Sequence, residues 1–326
     1  MAAAPRNVVG GVFIGWGTAL PEKVLTNDDL SKMMDTNDEW ITERTGIKRR
    51  HVGGSTASLS IEAGRKAITM AGVDPSTIDA LILSTSTPDR MVPATAPSVQ
   101  HGLGLRCGAF DVNAACSGFM YAMIAAHGLL AIGAKRILVI GTDTLSRITN
   151  WSDRSTAILF ADGSGAAIID AVEGQGQLLG WDFDSDGSLE PLLYTEHGGY
   201  ITMDGKEVFR RAVRIMVDSA EKSLAAAGVT TDKLKLVVPH QANLRIIEAA
   251  CKKLDVGMDR TAVVLHETGN TSSASIPLAL FDAADAGRLD DGDLVLLVGF
   301  GAGMTAASTV LRWHDPRLGT RRKDEA

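Results

Sequence analysis

The chain has 326 residues, 45% of them hydrophobic and 22% charged, with a formal net charge of −7 at pH 7. That balance fits a globular chain of about two domains, or one large doubled one, and argues against general nucleic-acid binding. The three cysteines, Cys107, Cys116 and Cys251, form no C-x-x-C, so neither a disulfide framework nor a metal site is suggested. A reducing, cytoplasmic setting is expected. Met1 to Arg6 carry no basic segment before a long apolar run, and no apolar stretch reaches bilayer length. Neither a signal peptide nor a membrane span is therefore expected.

In chain order, Val8 to Trp16 reads as a glycine-broken apolar strand. Thr26-Asn-Asp-Asp predicts a helix cap, with a helix running to Met34. Asp38 to Ile47 predicts a second short helix or turn, and Thr56 to Gly72 an amphipathic helix ending at glycine. Asp182 to Gly199, rich in glycine and acidic residues, reads as a surface excursion. Leu318 to Ala326 reads as a frayed polar tail.

An internal repeat sets the expected fold. Ala71-Gly-Val-Asp-Pro-Ser-Thr-Ile-Asp-Ala-Leu-Ile82 matches Ala227-Gly-Val-Thr-Thr-Asp-Lys-Leu-Lys-Leu-Val-Val238, an offset of 227 − 71 = 156. The same offset carries Cys116 to Ser272, and Lys135 to Gly141 resembles Asp293 to Gly299. Three ordered matches indicate a duplicated αβ unit. The strands are continuous apolar runs, as buried parallel strands are. An α/β chain of two similar halves, 1–172 and 173–326, is expected, packed about a pseudo-two-fold.

Cys116 stands between an apolar strand and the helix-forming segment Ser117 to Leu130. A thiol at a helix N-terminus faces unpaired N–H groups, so a lowered pKa is expected. The second half offers His240 in Val238-Pro-His-Gln-Ala-Asn-Leu-Arg245 and Asn270 in His266-Glu-Thr-Gly-Asn270. Halves related by a pseudo-two-fold would bring equivalent strand ends to one place. Cys, His and Asn could form a cysteine protease, which uses the same order, but that class has another local signature and no duplicated halves. They also suit acyl transfer through a thioester with carbon–carbon bond formation. The thiol would hold the acyl group, and neutral His and Asn would donate to an oxygen gaining enolate charge. Gly299-Phe-Gly-Ala-Gly303 is a turn able to offer backbone N–H groups to an oxyanion.

Asn113-Ala-Ala-Cys-Ser-Gly-Phe119, Pro239-His-Gln-Ala-Asn-Leu-Arg245, Glu267 to Pro277 and Asp38 to Ile47 together resemble β-ketoacyl-acyl carrier protein synthase III, from about Val12 to Trp313. The resemblance implies a thiolase fold and catalytic Cys116, His240 and Asn270. It implies oxyanion donors at the N–H groups of Cys116 and Ala302, with Phe300 shielding the thiol. Coenzyme A contacts would fall on Trp40, Arg44, Arg154 and Asn243. An acyl carrier protein would dock on Gln241, Ala242, Asn243, Leu244 and Arg245, and on Arg210 and Arg214. Lys206, Arg211, Lys252 and Lys253 add positive charge nearby. Val92 would help close the primer pocket from across a homodimer, and valine there leaves room for longer or branched primers.

The implied reaction joins a short acyl-coenzyme A to malonyl-acyl carrier protein with loss of carbon dioxide, starting fatty acid synthesis. Coenzyme A serves as a substrate, with no permanent cofactor. A starter-unit ketosynthase or acyltransferase of a polyketide or other secondary-metabolite pathway would share these motifs. A hydroxymethylglutaryl-type synthase would need a glutamate base, and none lies between Gly46 and Ile61. A non-catalytic scaffold would not need Cys116, His240 and Asn270 together.

Overall fold

The computed structural model of the chain describes residues 9–318. The expectations for Met1 to Arg6 and for the tail after Leu318 lie outside the described residues. The first part runs β1 Val9–Ala19, β2 Val24–Thr26, α1 Asn27–Ser31, α2 Asp38–Thr45, β3 Arg49–His51, α3 Thr56–Ala71, β4 Ala80–Ser84, α4 Ala96–Gly102, β5 Gly108–Val112, α5 Gly118–Ala131, β6 Arg136–Thr144, α6 Arg154–Ala157 and β7 Asp162–Glu173. The second runs β8 Leu178–Ser185, β9 Leu193–Tyr194, β10 Thr202–Met203, α7 Gly205–Ala227, β11 Leu236–Pro239, α8 Leu244–Lys253, α9 Leu265–Thr268, α10 Ser275–Asp285, β12 Leu294–Gly301 and β13 Thr305–Arg312.

Two sheets repeat one order. The first is β1-β7-β6-β4-β5 and the second β8-β13-β12-β11. The expectation of parallel strands holds only at the centre. β4 is parallel to β5 and β6, and β11 to β12, whereas β1, β7, β8 and β13 pair antiparallel. The fifth strand has no full counterpart, and a single bridge, Val237 to Thr261, stands in its place. Asp182 to Ser185 belong to the edge strand β8 rather than to the expected excursion.

The apolar strand runs follow from burial on both faces. Ile82 and Val139 share one core with Val238 and Leu297 of the other sheet and with Phe119, Met120, Ile276 and Phe281 of α5 and α10. Leu81, Leu83, Leu138 and Ile140 join α3 on the opposite face. Val237, Leu296 and Val298 pack under α7 and α8. The layers are therefore helix, sheet, paired central helices, sheet, helix. Glycines break β1 because α3 lies directly on it. A Cβ at Gly17 would stand 2.4 Å from the Ala63 carbonyl oxygen, and one at Gly15 2.6 Å from that of Ala67.

α3 and α7 begin at side-chain caps, Ser55 and Asp204, and end at left-handed Gly72 and Gly228, again 228 − 72 = 156 apart. The register then slips by one residue. The turns before the central helices are Ala115–Ser117 and Ser272–Ala274, so 272 − 115 = 157. Cys116 is thus matched by Ser273, not by Ser272 as the sequence repeat suggested.

Candidate active site

Both turns are built the same way. Asn113 Oδ1 accepts the Ala115 N–H at 3.1 Å, and Asn270 Oδ1 accepts the Ser272 N–H at 2.9 Å. Ala115 and Ser272 carry φ of +46° and +52°, in the left-handed region that non-glycine residues rarely adopt. The tight turn leaves Cys116 half-buried in a short 3₁₀ turn, ahead of α5. The helix expected from Ser117 begins at Gly118, one residue later.

His240 follows β11, its N–H donating to the Val298 carbonyl at 2.8 Å. Its Nδ1 lies 2.7 Å from Ser275 Oγ. Asn270 does not end a strand, contrary to expectation, because the fifth strand is missing from this half. It follows α9 and is pinned by a bridge to Phe160, through Asn270 N–H to Leu159 O and Ala161 N–H to Asn270 O, both 2.9 Å. Since Oδ1 is engaged by Ser272, the carboxamide presents Nδ2 as a donor.

The end of β12 ties the halves together. A Cβ at Gly301 would meet Cys116 N at 2.6 Å and Thr305 Oγ1 at 2.8 Å, so only glycine lets this strand approach the nucleophile turn. Thr305 Oγ1 donates to the Ala114 carbonyl at 2.9 Å. The Phe300 ring stands edge-on to His240, centroids 5.4 Å apart. Ser272, whose N–H is held by Asn270, sits on the turn that packs against the nucleophile turn, and its hydroxyl favours the ionised Cys116 thiol. Asn270 to Ser275 therefore runs from the carboxamide, past the nucleophile turn, to the imidazole.

Asp143, fully buried at the end of β6, braces this segment. It accepts from Thr85 Oγ1, the Ser86 N–H and Thr87 Oγ1 in its own half at 3.2, 2.7 and 3.0 Å. From the other half it accepts the Ser273 N–H and Ser273 Oγ at 3.1 and 2.8 Å. Burial raises its carboxyl pKa against these donors. Asp143, Ser273 and Ser275 were not singled out from the sequence, and Ser272 only as the repeat partner of Cys116. The available signals were an acid ending an apolar strand and a serine-rich turn.

The electrostatics correct the expected thiolate. Burial pushes the Cys116 thiol up to about 12; the Ser272 hydroxyl and the residue's own N–H oppose this, and the Asp143 carboxylate adds to it. Burial pushes His240 down to about 3. The resting pair is a neutral thiol and a neutral imidazole, because desolvation outweighs the helix N-terminus. A thiol raised this far exposes thiolate only as pH climbs towards its pKa. Alkylation of Cys116 by iodoacetamide should therefore accelerate about tenfold per pH unit between about pH 7 and 10. A plateau below about pH 8 would indicate an ion pair instead.

Trp40 forms a platform between two arginines. The Arg44 and Arg154 guanidinium carbons stand 4.7 and 4.9 Å from its ring centroid. A cavity of about 560 Å³ opens beside it, lined by Trp40, Met203, Lys206, Phe209 and Arg245 among others. Met203 and Phe209 supply apolar wall that sequence reading missed. Asn243 lines the same cavity, but its carboxamide caps α8 through the Arg245 N–H at 2.9 Å and donates to the Arg44 carbonyl at 3.0 Å.

Gln241 and Ala242 depart from their expected surface role. Gln241 is fully buried and Ala242 nearly so. Gln241 donates to Pro239 O and Ala262 O and accepts from the Val264 and Leu265 N–H groups, leaving its amide no capacity for a partner. Leu244 is half-buried and Arg245 exposed, its guanidinium 5.7 Å from the Phe209 ring centroid. Lys206, Arg210 and Arg214 are exposed along α7, while Arg211 is half-buried. Ala302 and Gly303 form the turn after β12, and Val92 is 84% exposed.

Residues 110–187 match the family described as 3-Oxoacyl-[acyl-carrier-protein (ACP)] synthase III, and residues 224–313 match its C-terminal family. The chain is 47% identical over 319 residues to the beta-ketoacyl-[acyl-carrier-protein] synthase III of Roseiflexus castenholzii, covering 92% of this chain and 97% of that one. It is 46% identical over 325 residues to the enzyme of the same name from Allorhizobium ampelinum, covering 94% and 99%. The crystal structure of 3-oxoacyl-[acyl-carrier-protein] synthase III from Aquifex aeolicus superposes with a TM-score of 0.91 at 43% identity, covering 93% of this chain and all of that one.

Two like αβ halves facing each other across paired central helices define a thiolase-fold condensing enzyme. Within that class, the chain belongs to the β-ketoacyl-[acyl-carrier-protein] synthase III family. It is an acyltransferase of the kind that initiates fatty acid synthesis, and the secondary-metabolite alternative is not favoured.

Proposed function

We propose that this enzyme condenses a short acyl-coenzyme A with malonyl-acyl carrier protein through an acyl-Cys116 intermediate. The observation that carries the assignment of roles is the single segment Asn270 to Ser275, which supplies the carboxamide, bonds the imidazole and packs against the nucleophile turn. The Cys116 sulfur attacks the thioester carbonyl and gives up its proton. The new S–C bond replaces the bond to coenzyme A, which leaves as the thiol. The Cys116 and Ala302 N–H groups stabilise the tetrahedral oxyanion. Malonyl-acyl carrier protein then loses carbon dioxide, and its electron pair remains as an enolate. His240 Nε2–H and Asn270 Nδ2–H donate to the enolate oxygen. The enolate carbon attacks the acyl-cysteine, the S–C bond breaks, and the thiol is reprotonated. The product is 3-oxoacyl-acyl carrier protein.

Neutral His240 suits this work, because it donates a hydrogen bond without first having to lose a proton. Trp40 and the two arginines supply an adenine platform and phosphate-facing charge, with Asn243 near the pantetheine arm. Lys206 and Arg245 extend the cationic rim towards an acidic carrier, joined by Arg210 and Arg214. Leu244 offers apolar contact. Phe300 holds the imidazole edge and keeps water from the thiol.

We further place the enzyme in the cytoplasm as a homodimer of two-unit chains, divided at 1–172 and 173–326. Exposed Met91, Val92 and Phe110, the last on the edge strand β5, favour a second copy on this side. Val92 would then enter the partner's primer pocket. Among the described residues, no helix is long and apolar enough to cross a membrane.

The test combines labelled acyl-coenzyme A primers of increasing length with peptide mapping and a condensation assay. The reading requires label on Cys116 and product only when malonyl-acyl carrier protein is added. Label elsewhere, or none with any primer, overturns it. The carrier surface has its own check. Arg210 is paired with Glu207 at 2.5 Å and Arg214 with Asp218 at 3.5 Å, so each net charge is partly masked. Arg245 carries no such partner among the described ion pairs. Arg245→Glu should raise KM for the carrier substrate about tenfold, Arg210→Glu somewhat less, with self-acylation unchanged. Equal losses in both half-reactions would reject the docking surface.

A further inference from the structure

Ser275 opens α10 and is fully buried. Its hydroxyl oxygen stands 2.7 Å from His240 Nδ1. The Gln241 backbone N–H, one residue after the histidine, donates to the same oxygen at 3.3 Å. Among the described residues the hydroxyl has no other hydrogen-bond partner. A hydroxyl oxygen that already accepts a backbone N–H still has one proton to place. His240 Nδ1 is the acceptor in reach. Were Nδ1 itself protonated, two donors would aim at one oxygen and the buried O–H would have no acceptor. That arrangement is disfavoured by on the order of tenfold or more.

We propose that Ser275 is a positioning residue that holds His240 as the Nε2–H tautomer, so that the nitrogen facing the reacting thioester is always a donor. This rests on the reading of His240 given above. The opposite tautomer would turn a lone pair towards an oxygen that is gaining negative charge. The device works because the surroundings keep the ring from reorienting. The His240 backbone N–H donates to Val298 O at 2.8 Å and fixes the main chain, while burial and the edge-on Phe300 ring, its centroid 5.4 Å away, confine the imidazole. The Gln241 N–H matters as much as the serine, since it fixes which way the hydroxyl proton must point. Burial, which holds His240 neutral, leaves tautomer choice as the remaining freedom of the ring.

The first measurement reads the wild-type protein and uses a variant only to assign its signals. The full-length protein with ¹⁵N-labelled histidine gives Nδ1 and Nε2 shifts that report which nitrogen bears hydrogen. His240→Asn identifies the signals among the seven histidines. The expected result is a pyridine-like Nδ1 and a pyrrole-like Nε2 at neutral pH. A pyrrole-like Nδ1 overturns the proposal outright, whatever the activity. The second measurement compares Ser275→Ala with the hydroxyl-retaining Ser275→Thr. Alanine should mix the tautomers and lower kcat for decarboxylation and condensation by about 10- to 100-fold, less than the about 10²–10³ of a donor removed outright, because part of the population keeps Nε2–H. Self-acylation of Cys116 should stay within about twofold, and threonine should restore both the spectrum and kcat. Retained Nε2–H with full condensation in Ser275→Ala refutes the role of the serine. Equal loss of acylation and condensation does so too, by pointing to a merely structural part. If the wild type takes no acyl group from any primer, the assigned reaction fails, while the spectrum still decides the tautomer.

Discussion

Cys116→Ala is expected to abolish acyl transfer and condensation, with a loss on the order of 10⁴ or more. No other thiol is placed to substitute. Cys251 is buried with Sγ 3.4 Å from Thr261 Oγ1, and Cys107 belongs to the opposite end of β5 from the Asn113–Ser117 turn. Alanine fits the turn without disturbing it, so folding should be preserved. The informative remainder is decarboxylation. In the proposed mechanism its enolate is stabilised from His240 and Asn270, which the substitution leaves untouched. Slow release of carbon dioxide from malonyl-acyl carrier protein should therefore persist when condensation is absent. A radiolabelled-malonyl assay checks both. Condensation surviving at wild-type rate would remove Cys116 from the mechanism.

The second large effect is at the two donors. His240→Ala and Asn270→Asp should each reduce condensation by about 10² to 10³, the usual consequence of removing one preorganised donor from a developing oxyanion. Aspartate is chosen at 270 because it keeps an oxygen for the Ser272 N–H, a bond of 2.9 Å in the native turn. Only the Nδ2 donor is lost, and a negative oxygen replaces it where the enolate forms. Acylation of Cys116 should proceed in both variants at near-native rate, because neither group is needed to form the first thioester. Burst labelling with acyl-coenzyme A, followed by addition of the carrier substrate, separates the steps. Loss of the burst in either variant would mean that His240 or Asn270 acts on the thiol itself. The high thiol pKa of about 12 leaves room for that outcome, which makes the measurement a stringent one.

The duplicated αβ plan and the principal helices were legible in the chain, as were the motifs that carry Cys116, His240 and Asn270. Continuous apolar runs announce strands buried on both faces, and glycine ends helices at Gly72 and Gly228 because it adopts the left-handed conformation freely. Short motifs carry the site because turns place side chains locally, as Asn113 and Asn270 do within two residues of themselves. Sequence could not decide the details that depend on packing between distant segments. The one-residue slip that pairs Cys116 with Ser273 becomes visible only when the turns are superimposed in space. Gln241 reads as part of a surface motif until the fold encloses it between Pro239, Ala262 and Val264.

The ionisation of the site belongs to the tertiary structure as well. A cysteine just before a helix promises a thiolate, but the second half closes over it and desolvation reverses the sign. Ser275 likewise gains its meaning only when α10 comes to rest against the end of β11. Local sequence can determine which groups are delivered and on which turns, because those choices are made by neighbouring dihedrals and caps. Which proton each group keeps is set by residues distant along the chain, as Ser275 is from His240 and Ser272 from Cys116, because burial and electrostatic fields add through space.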